Sequence, residues 1–400
     1  MLKKMAKKVM CIGAGPYQKK GIETAKKMGL YVIATDVDPN AVGLSSADKP
    51  YAIDARDIKN SLKIAREEKI DGVMTISSDA SVMTVASISE ELGLPGINKE
   101  VAANCLDKEF MRKAFYAHNV PSPKSYAVYS VEDLLQKSKL VKFPVVVKPA
   151  DSAGSRGVRK VERQEDLPQA YKKAIEYSDK QKVIIEEFME GVEVSVEAFV
   201  VDGEIHIIAL SDKIRTEPPY LLDIQVTFPS AYPKKVQKQI IDVAKKAIKA
   251  VGVKTGPIHM ELMMTKDGPV PVELAARGPG FKVFSDMIPM VTGIDVLKAT
   301  VDVAMGKKPN LKHTKKRASS IKFFSAEPGV LKSISGVEEA KKIPGVYEIV
   351  MYIKPGSKTR ALTSGLDRIG HIISSTTTRK KAIDVINKAI KKINVEIDYD

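Results

Sequence analysis

Between Lys7 and Gly93, apolar runs alternate with helix-forming runs, and this limits the possible folds more than any other feature of the chain. KKVMCIGAG reads as a strand ending in a glycine turn, KGIETAKKMG as a helix closed by Gly29, and YVIATDVD as a second strand. NSLKIAREEKI reads as a helix, DGVMTISS as a further strand, and DASVMTVASISEELG as a helix closed by Gly93. Such a βαβα rhythm implies a parallel sheet with helices on both faces, because a parallel pair needs a crossover long enough to hold a helix. LPGINKEV is rich in breakers and marks a plausible boundary.

The rest of the chain reads differently. A helix is expected from Leu106 to about Val120. VKFPVVVKPADSAGSRGVRKV reads as strand, glycine-rich loop and strand, and KVIIEEFM as another strand. EVSVEAFVVDGEIHIIALSDK forms a meander turning at Asp202-Gly203. Lys234–Val251 is an amphipathic helix, and TGPIHMELMMTKDGPVPVELAARGPG a hairpin. After the charged link KKPNLKHTKKRAS come further strands and the helix TRKKAIDVINKAIKKI, a small C-terminal α+β unit.

Composition narrows the function. No apolar run reaches the roughly 18 residues of a membrane-spanning helix. The two cysteines, Cys11 and Cys105, offer neither a disulfide framework nor metal-binding spacing, so a reducing, cytoplasmic setting is expected. Lys and Arg exceed Asp and Glu by 64 to 49, a net charge of +15. The lysines are scattered over helix faces and there is no Trp, so a nucleic-acid partner is not expected.

Four features could carry chemistry. Gly13-Ala14-Gly15-Pro16 follows a strand, with Asp36 at the end of the next, but Gln18 stands where a dinucleotide fingerprint has its third glycine. A tight structural turn is the simpler reading. Lys148 ends an apolar strand and leads into Asp151-Ser152-Ala153-Gly154-Ser155-Arg156-Gly157, whose backbone N–H groups can meet phosphate oxygens. Glu186-Glu187-Phe188-Met189, with Glu193 beyond, makes an acidic, apolar hinge that could read an adenine edge and ribose hydroxyls. Glu261 and Glu273 lie on the two strands of the hairpin, where paired carboxylates can hold Mg²⁺, and Arg277 follows in a glycine-rich stretch. His206 and His259 read as packing residues, or as supports behind the site residues, rather than as catalysts.

Taken in order, these features resemble the ATP-grasp superfamily, over almost the whole chain. The resemblance rests on an early lysine in LDKEFMRKAF (Lys108), Lys148 with its loop, the EEFMEG hinge, a late lysine (Lys213), and the Glu261/Glu273/Arg277 hairpin. It implies an ATP-grasp fold between an N-terminal parallel-sheet domain and a small C-terminal α+β domain. The implied domains are residues 1–105, a nucleotide lobe at 106–190, a metal-bearing lobe at 191–310, and 311–400. ATP would lie between the two lobes. Lys108, Lys148, Ser152, Gly154, Ser155 and Gly157 would serve its phosphates, and Glu186, Glu187, Phe188 and Met189 its adenine, Glu187 and Met189 through backbone. Glu193 would serve the ribose, Glu261 and Glu273 would hold Mg²⁺ or Mn²⁺, and Arg277 and Lys213 would act at the reacting centre. Ala275 stands where many members have an asparagine metal ligand.

SVEAFVVDGEIHIIALSDKIRTEPPYLLDIQVTFPS and IKFFSAEPGVLKSISGVEEAKKIPGVYEI are similar to the amino-acid ligases that make dipeptides. This implies a carboxylate–amine ligase working through an acyl phosphate on small-molecule acid and amine substrates, as a homodimer. A purine-pathway or carboxylase-type relative, or an ATP-binding protein without turnover, is the alternative.

Overall fold

The computed structural model describes residues 6–218 and 220–399. The first unit holds β1 (Lys8–Ile12), α1 (Pro16–Lys27), β2 (Tyr31–Asp36), β3 (Lys49–Ala52), α2 (Ile58–Glu68), β4 (Gly72–Met74) and α3 (Asp79–Leu92). Its strands lie in the order β3-β2-β1-β4 and are all parallel. The unbroken apolar run of β1 follows from burial on both faces. Val9 and Cys11 pack with Ile22 and Ala25 of α1, while Met10 and Ile12 pack with Ile64 of α2 and Ile88 of α3. β3 carries no strand signal in the sequence: it is four residues long, contains Pro50 and lies at the sheet edge, the place where a sheet tolerates proline.

The single helix expected from Leu106 is two helices, α4 (Lys99–Leu106) and α5 (Lys108–Ala117). Asp107 leaves helical geometry (φ −117°, ψ 114°), and its carboxylate accepts the N–H of Glu109 at 3.1 Å as the N-cap of α5. α4 starts inside the breaker-rich passage, capped by Asn98.

Next come β5 (Ser125–Val128), α6 (Val131–Ser138), β6 (Val145–Pro149), β7 (Arg159–Val161), α7 (Leu167–Ile175) and β8 (Val183–Glu187), with the sheet order β5-β8-β6-β7. Leu134 of α6 and Leu167, Ala170 and Ala174 of α7 cover one face of this sheet over Val145, Val147, Val183 and Ile185.

β9 (Val192–Val201), β10 (Glu204–Arg215), β11 (Asp223–Phe228), α8 (Lys234–Val251), β12 (Gly256–Thr265) and β13 (Gly268–Ala275) follow, then α9 (Ile288–Thr292) and α10 (Val296–Ala304). The chain closes with β14 (Ala318–Phe324), β15 (Gly329–Ser335), α11 (Val337–Lys341), β16 (Val346–Met351), β17 (Lys358–Thr359), β18 (Gly370–Thr376), α12 (Arg379–Ile390) and β19 (Asn394–Asp398). Eight strands join in one sheet, β13-β12-β9-β10-β11-β14-β18-β16. The C-terminal strands β14, β18 and β16 therefore extend the sheet of the preceding lobe through the pairing of β14 with β11. A second sheet, β17-β15-β19, holds the remaining C-terminal strands. Ile240, Ala244, Ala247, Ile248 and Val251 of α8 pack on Val194, Val196, Ile258 and Met260 of the large sheet. No helix among the described residues is long and apolar enough to cross a membrane.

Candidate active site

The hairpin of β12 and β13 starts in simple register, from Thr265 opposite Gly268 to Leu262 opposite Pro271. It then slips by one residue, so Glu261 lies opposite Glu273 and Val272 is the extra residue of a β-bulge. Side chains alternate between faces, and without the slip Glu273 would point away from Glu261. The bulge therefore brings the two carboxylates together.

On the nucleotide side, Lys148 at the end of β6 is 4% exposed and pairs closely with Glu186 of β8. Glu186, 3% exposed, also accepts from Arg112 Nε and Nη2 of α5, both at 3.2 Å. Burial pushes the Glu186 carboxyl up, but Arg112 and Lys148 outweigh it and bring it down to about 2. Burial pulls the Lys148 ammonium below its ordinary range, against Glu186, and Arg112 and Lys108 add to the downward shift. The pocket thus holds more buried positive charge than negative, which favours an anion such as phosphate. Lys108, at the start of α5, donates to the Ser152 carbonyl at 2.7 Å and to Glu273 Oε1 at 3.2 Å. The glycine-rich loop is fixed at its base by Asp151, which accepts from Ser178 Oγ (2.7 Å) and the Lys180 N–H (2.8 Å). At its tip, Ser155 Oγ donates to the Leu221 carbonyl at 2.9 Å. Gly154 and Gly157 have φ of +68° and +69°, so both turns need glycine.

In the hinge, the N–H of Glu187 donates to the Lys124 carbonyl and that of Phe188 to the Pro144 carbonyl, each at 3.0 Å. Among the described residues no carbonyl takes the N–H of Met189. Lys160 Nζ lies 4.5 Å from the centre of the Phe188 ring.

Lys213 of β10 is the electrostatic centre of the second lobe. Its ammonium contacts Glu193 at 2.8 Å, Asp223 at 2.9 Å, and Glu261. Burial works against its charge, yet Asp223, Glu193 and Glu261 hold its pKa well above the usual value. Glu193 accepts in addition from Arg215 at 2.6 Å. Burial pushes the Glu261 carboxyl up, but Lys213 and His259 hold it well below the carboxylate range. His259, between Glu197 (2.9 Å) and Glu261 (3.4 Å), is raised to about 9: burial lowers it and the two carboxylates more than reverse that. Ligand atoms of Glu193, Asp223 and Glu261 lie within 4.8 Å of one another, and all are carboxylate oxygens, the donors that hard divalent cations prefer. The donor set suits Mg²⁺ or Mn²⁺. Glu273 faces Glu261 but is turned to Lys108, and Asp223 joins Glu261 instead, a residue the sequence reading did not single out.

Arg277 reaches the N-terminal unit. Its Nε and Nη2 donate to the two oxygens of Asp79 at 3.0 and 2.7 Å, and its Nη1 donates to the Gly278 carbonyl. The first glycine turn is structural: the Ala14 N–H uses Asp36 (2.8 Å), and the Gln18 side chain donates to the Ile76 carbonyl (2.6 Å). Sequence reading missed Asp79, Arg112, Asp223 and Arg215. Arg112 lies one helical turn after Lys108, on the same face of α5, and this was the one local signal for it.

Two strand-rich lobes meeting at an acidic hinge, with a buried lysine beside a glycine loop and a carboxylate hairpin opposite, define the ATP-grasp class. Residues 141–284 match the model of the ATP-grasp domain, and residues 322–398 match that of the L-amino acid ligase C-terminal domain 2. Residues 141–284 thus carry an ATP-grasp domain, and ATP-grasp enzymes are ATP-dependent ligases. It is similar to an uncharacterized protein of Sinorhizobium fredii, 24% identical over 387 residues, covering 94% of this chain and 80% of that one. It is also similar to the alanine–anticapsin ligase of Bacillus subtilis, 27% identical over 278 residues, covering 64% of this chain and 58% of that one. The fold matches the L-amino acid ligase of Bacillus licheniformis with a TM-score of 0.85 at 20% identity, over 98% of this chain and 99% of that chain.

Proposed function

We propose that the chain joins a small carboxylic acid to an amine through an acyl phosphate, releasing ADP and phosphate. The observation that carries this reading is the opposition of two charge clusters: the cation-rich Lys108–Lys148–Arg112 pocket and the carboxylates around Lys213. The first suits the phosphates of ATP. The second suits a divalent cation and the transfer of a phosphoryl group.

In this reading Lys108 and Lys148 take phosphate oxygens, with the backbone of Ser152, Gly154, Ser155 and Gly157. The Met189 N–H and the Glu187 carbonyl meet the adenine edge, with Phe188 beside it. Glu186 orients Lys148, and Glu193 accepts from ribose hydroxyls. Glu261 and Glu273 would hold Mg²⁺ or Mn²⁺, Glu273 by exchanging its contact with Lys108 for the ion and Asp223 lying beside Glu261, and the ion when bound would neutralise phosphate charge. A carboxylate oxygen of the acid attacks the terminal phosphorus of ATP and ADP leaves. The amine then attacks the acyl carbon, loses a proton, and phosphate departs. Lys213 and Arg277 offset the negative charge that develops on the transferred group and on the acyl oxygen. A homodimer is the expected assembly, and sedimentation would measure it.

A coupled ADP-release screen with Mg²⁺, against pooled amino acids and small acids, tests the reading. Phosphorus NMR of an active pool should show ADP and orthophosphate. A pyrophosphate signal would exclude the acyl-phosphate route.

A further inference from the structure

The bulge that turns Glu273 toward Glu261 has a specific anchor. Slipping the register at Val272 takes nearby backbone carbonyls out of the ladder, and a buried carbonyl needs a donor. The donor is Arg112. Its Nη1 meets the Pro271 carbonyl and its Nη2 the Val272 carbonyl, both at 3.0 Å. The same guanidinium donates through Nε and Nη2 to Glu186, which holds Lys148. Arg112 is 3% exposed and lies on α5, outside both strands it serves.

We infer that Arg112 is the positioning residue of the divalent-cation site: it fixes the bulge, so that Glu273 presents its carboxylate on the face of Glu261. The inference rests on the proposed reading of Glu261 and Glu273 as metal ligands. Four hydrogen bonds from one planar group define the orientation of the guanidinium, which a point charge with rotatable donors does not reproduce. Because Glu186 accepts from both that group and Lys148, the phosphate lysine and the metal hairpin of the proposed reading are set against one another through Arg112. Arg112 itself touches neither metal nor substrate.

The test is a Mn²⁺ titration of the full chain, with and without ADP, following free Mn²⁺ by electron paramagnetic resonance, with melting temperature as the check of folding. Arg112→Lys keeps the charge and loses the fork. It should weaken Mn²⁺ binding about 10-fold or more, on the scale of losing a partner that orients a metal ligand. Glu273→Gln is measured beside it. If Glu273→Gln weakens Mn²⁺ binding and a folded Arg112→Lys does not, the positioning role is wrong while the metal reading stands. If Glu273→Gln leaves Mn²⁺ affinity unchanged, the metal reading falls and the inference with it. Should Arg112→Lys fail to fold, Glu186→Gln decides: it withdraws the carboxylate that orients the guanidinium, and unchanged Mn²⁺ affinity there overturns the inference.

Discussion

Arg277 and Asp79 form a two-point ion pair, Nε to Oδ1 at 3.0 Å and Nη2 to Oδ2 at 2.7 Å, between the end of the β12–β13 hairpin and the first turn of α3. Burial pushes the Asp79 carboxyl up, but Arg277 outweighs it and brings it below its ordinary range. The parallel-sheet unit thus orients a cation of the candidate site from a distance of 198 residues in sequence.

Asp79→Asn keeps the shape of this contact and removes its charge. Turnover should fall by about 10-fold to 100-fold, the scale of misplacing a group that must meet the reacting atoms. Affinity for a non-hydrolysable ATP analogue should stay within about threefold, because the hydrogen bonds of Asp79 go to Arg277 and only its charge reaches Lys108. Steady-state ADP release and calorimetry read the two effects separately. Full turnover would reduce the pair to a tie between domains.

Lys148→Ala should weaken nucleotide binding by about 10-fold to 100-fold, the equivalent of a charged hydrogen bond worth about 1.5–3 kcal/mol. Calorimetry with the same analogue measures it, and an unchanged affinity would remove Lys148 from the phosphate site.

Glu273→Gln should lower turnover by about 100-fold or more, on the scale of losing a transition-state charge contact. The melting temperature should move little. Glu273 and Glu261 face each other, yet each already has a lysine, Lys108 and Lys213, so neutralising one relieves little repulsion. A drop of several degrees with intact turnover would make Glu273 a structural partner of Lys108.

Glu186 gives the acid limit of stability a named source. Its folded pKa, about 2, lies below its ordinary 4.5. Its contribution is therefore complete above about pH 4.5 and lost as pH falls toward 2, an amount of about 3 kcal/mol. Melting temperatures from pH 6 to pH 3 should fall for the wild type. Glu186→Gln should start lower, because Arg112 and Lys148 lose their counter-charge, and should fall less steeply. Parallel slopes would assign the acid sensitivity to other carboxylates.

The loop from Asp151 to Gly157 is tied at its base by Asp151 and by Lys108 on the Ser152 carbonyl, and at its tip by the Ser155–Leu221 contact. Amide exchange in the loop should slow on addition of MgATP. Equal exchange in both states would mean a loop already rigid.

Local features of the fold were readable because they are written in neighbouring residues. The limits of α8 follow from its apolar stripe, the Asp202-Gly203 turn from its residue types, and the glycine loop from its small side chains. The break at Asp107 was missed because one capping residue separates two runs that share a helical pattern. Strand β3 was missed because an edge strand needs no apolar alternation. Asp79, Asp223 and Arg112 acquire their meaning from partners on other elements, and no spacing rule links residues 79 and 277. The turn at Gly13 was readable because Gln18 stands where a dinucleotide loop has its third glycine, and its side chain instead donates to the Ile76 carbonyl.

The extra residue at Val272 makes the hairpin behave like a reading frame. Counted from the turn, Glu261 is the fifth residue on its strand and Glu273 the sixth, and that offset of one is what puts both on the same side. Flattening the bulge at constant length would carry Glu273 to the wrong face, whereas removing one residue between Pro269 and Val272 would close the bulge and leave Glu273 opposite Glu261 in a plain ladder. Length changes in this lobe are therefore not equivalent. One residue added to the five before Glu273 acts as a frameshift in three dimensions, while one residue removed restores the plain ladder.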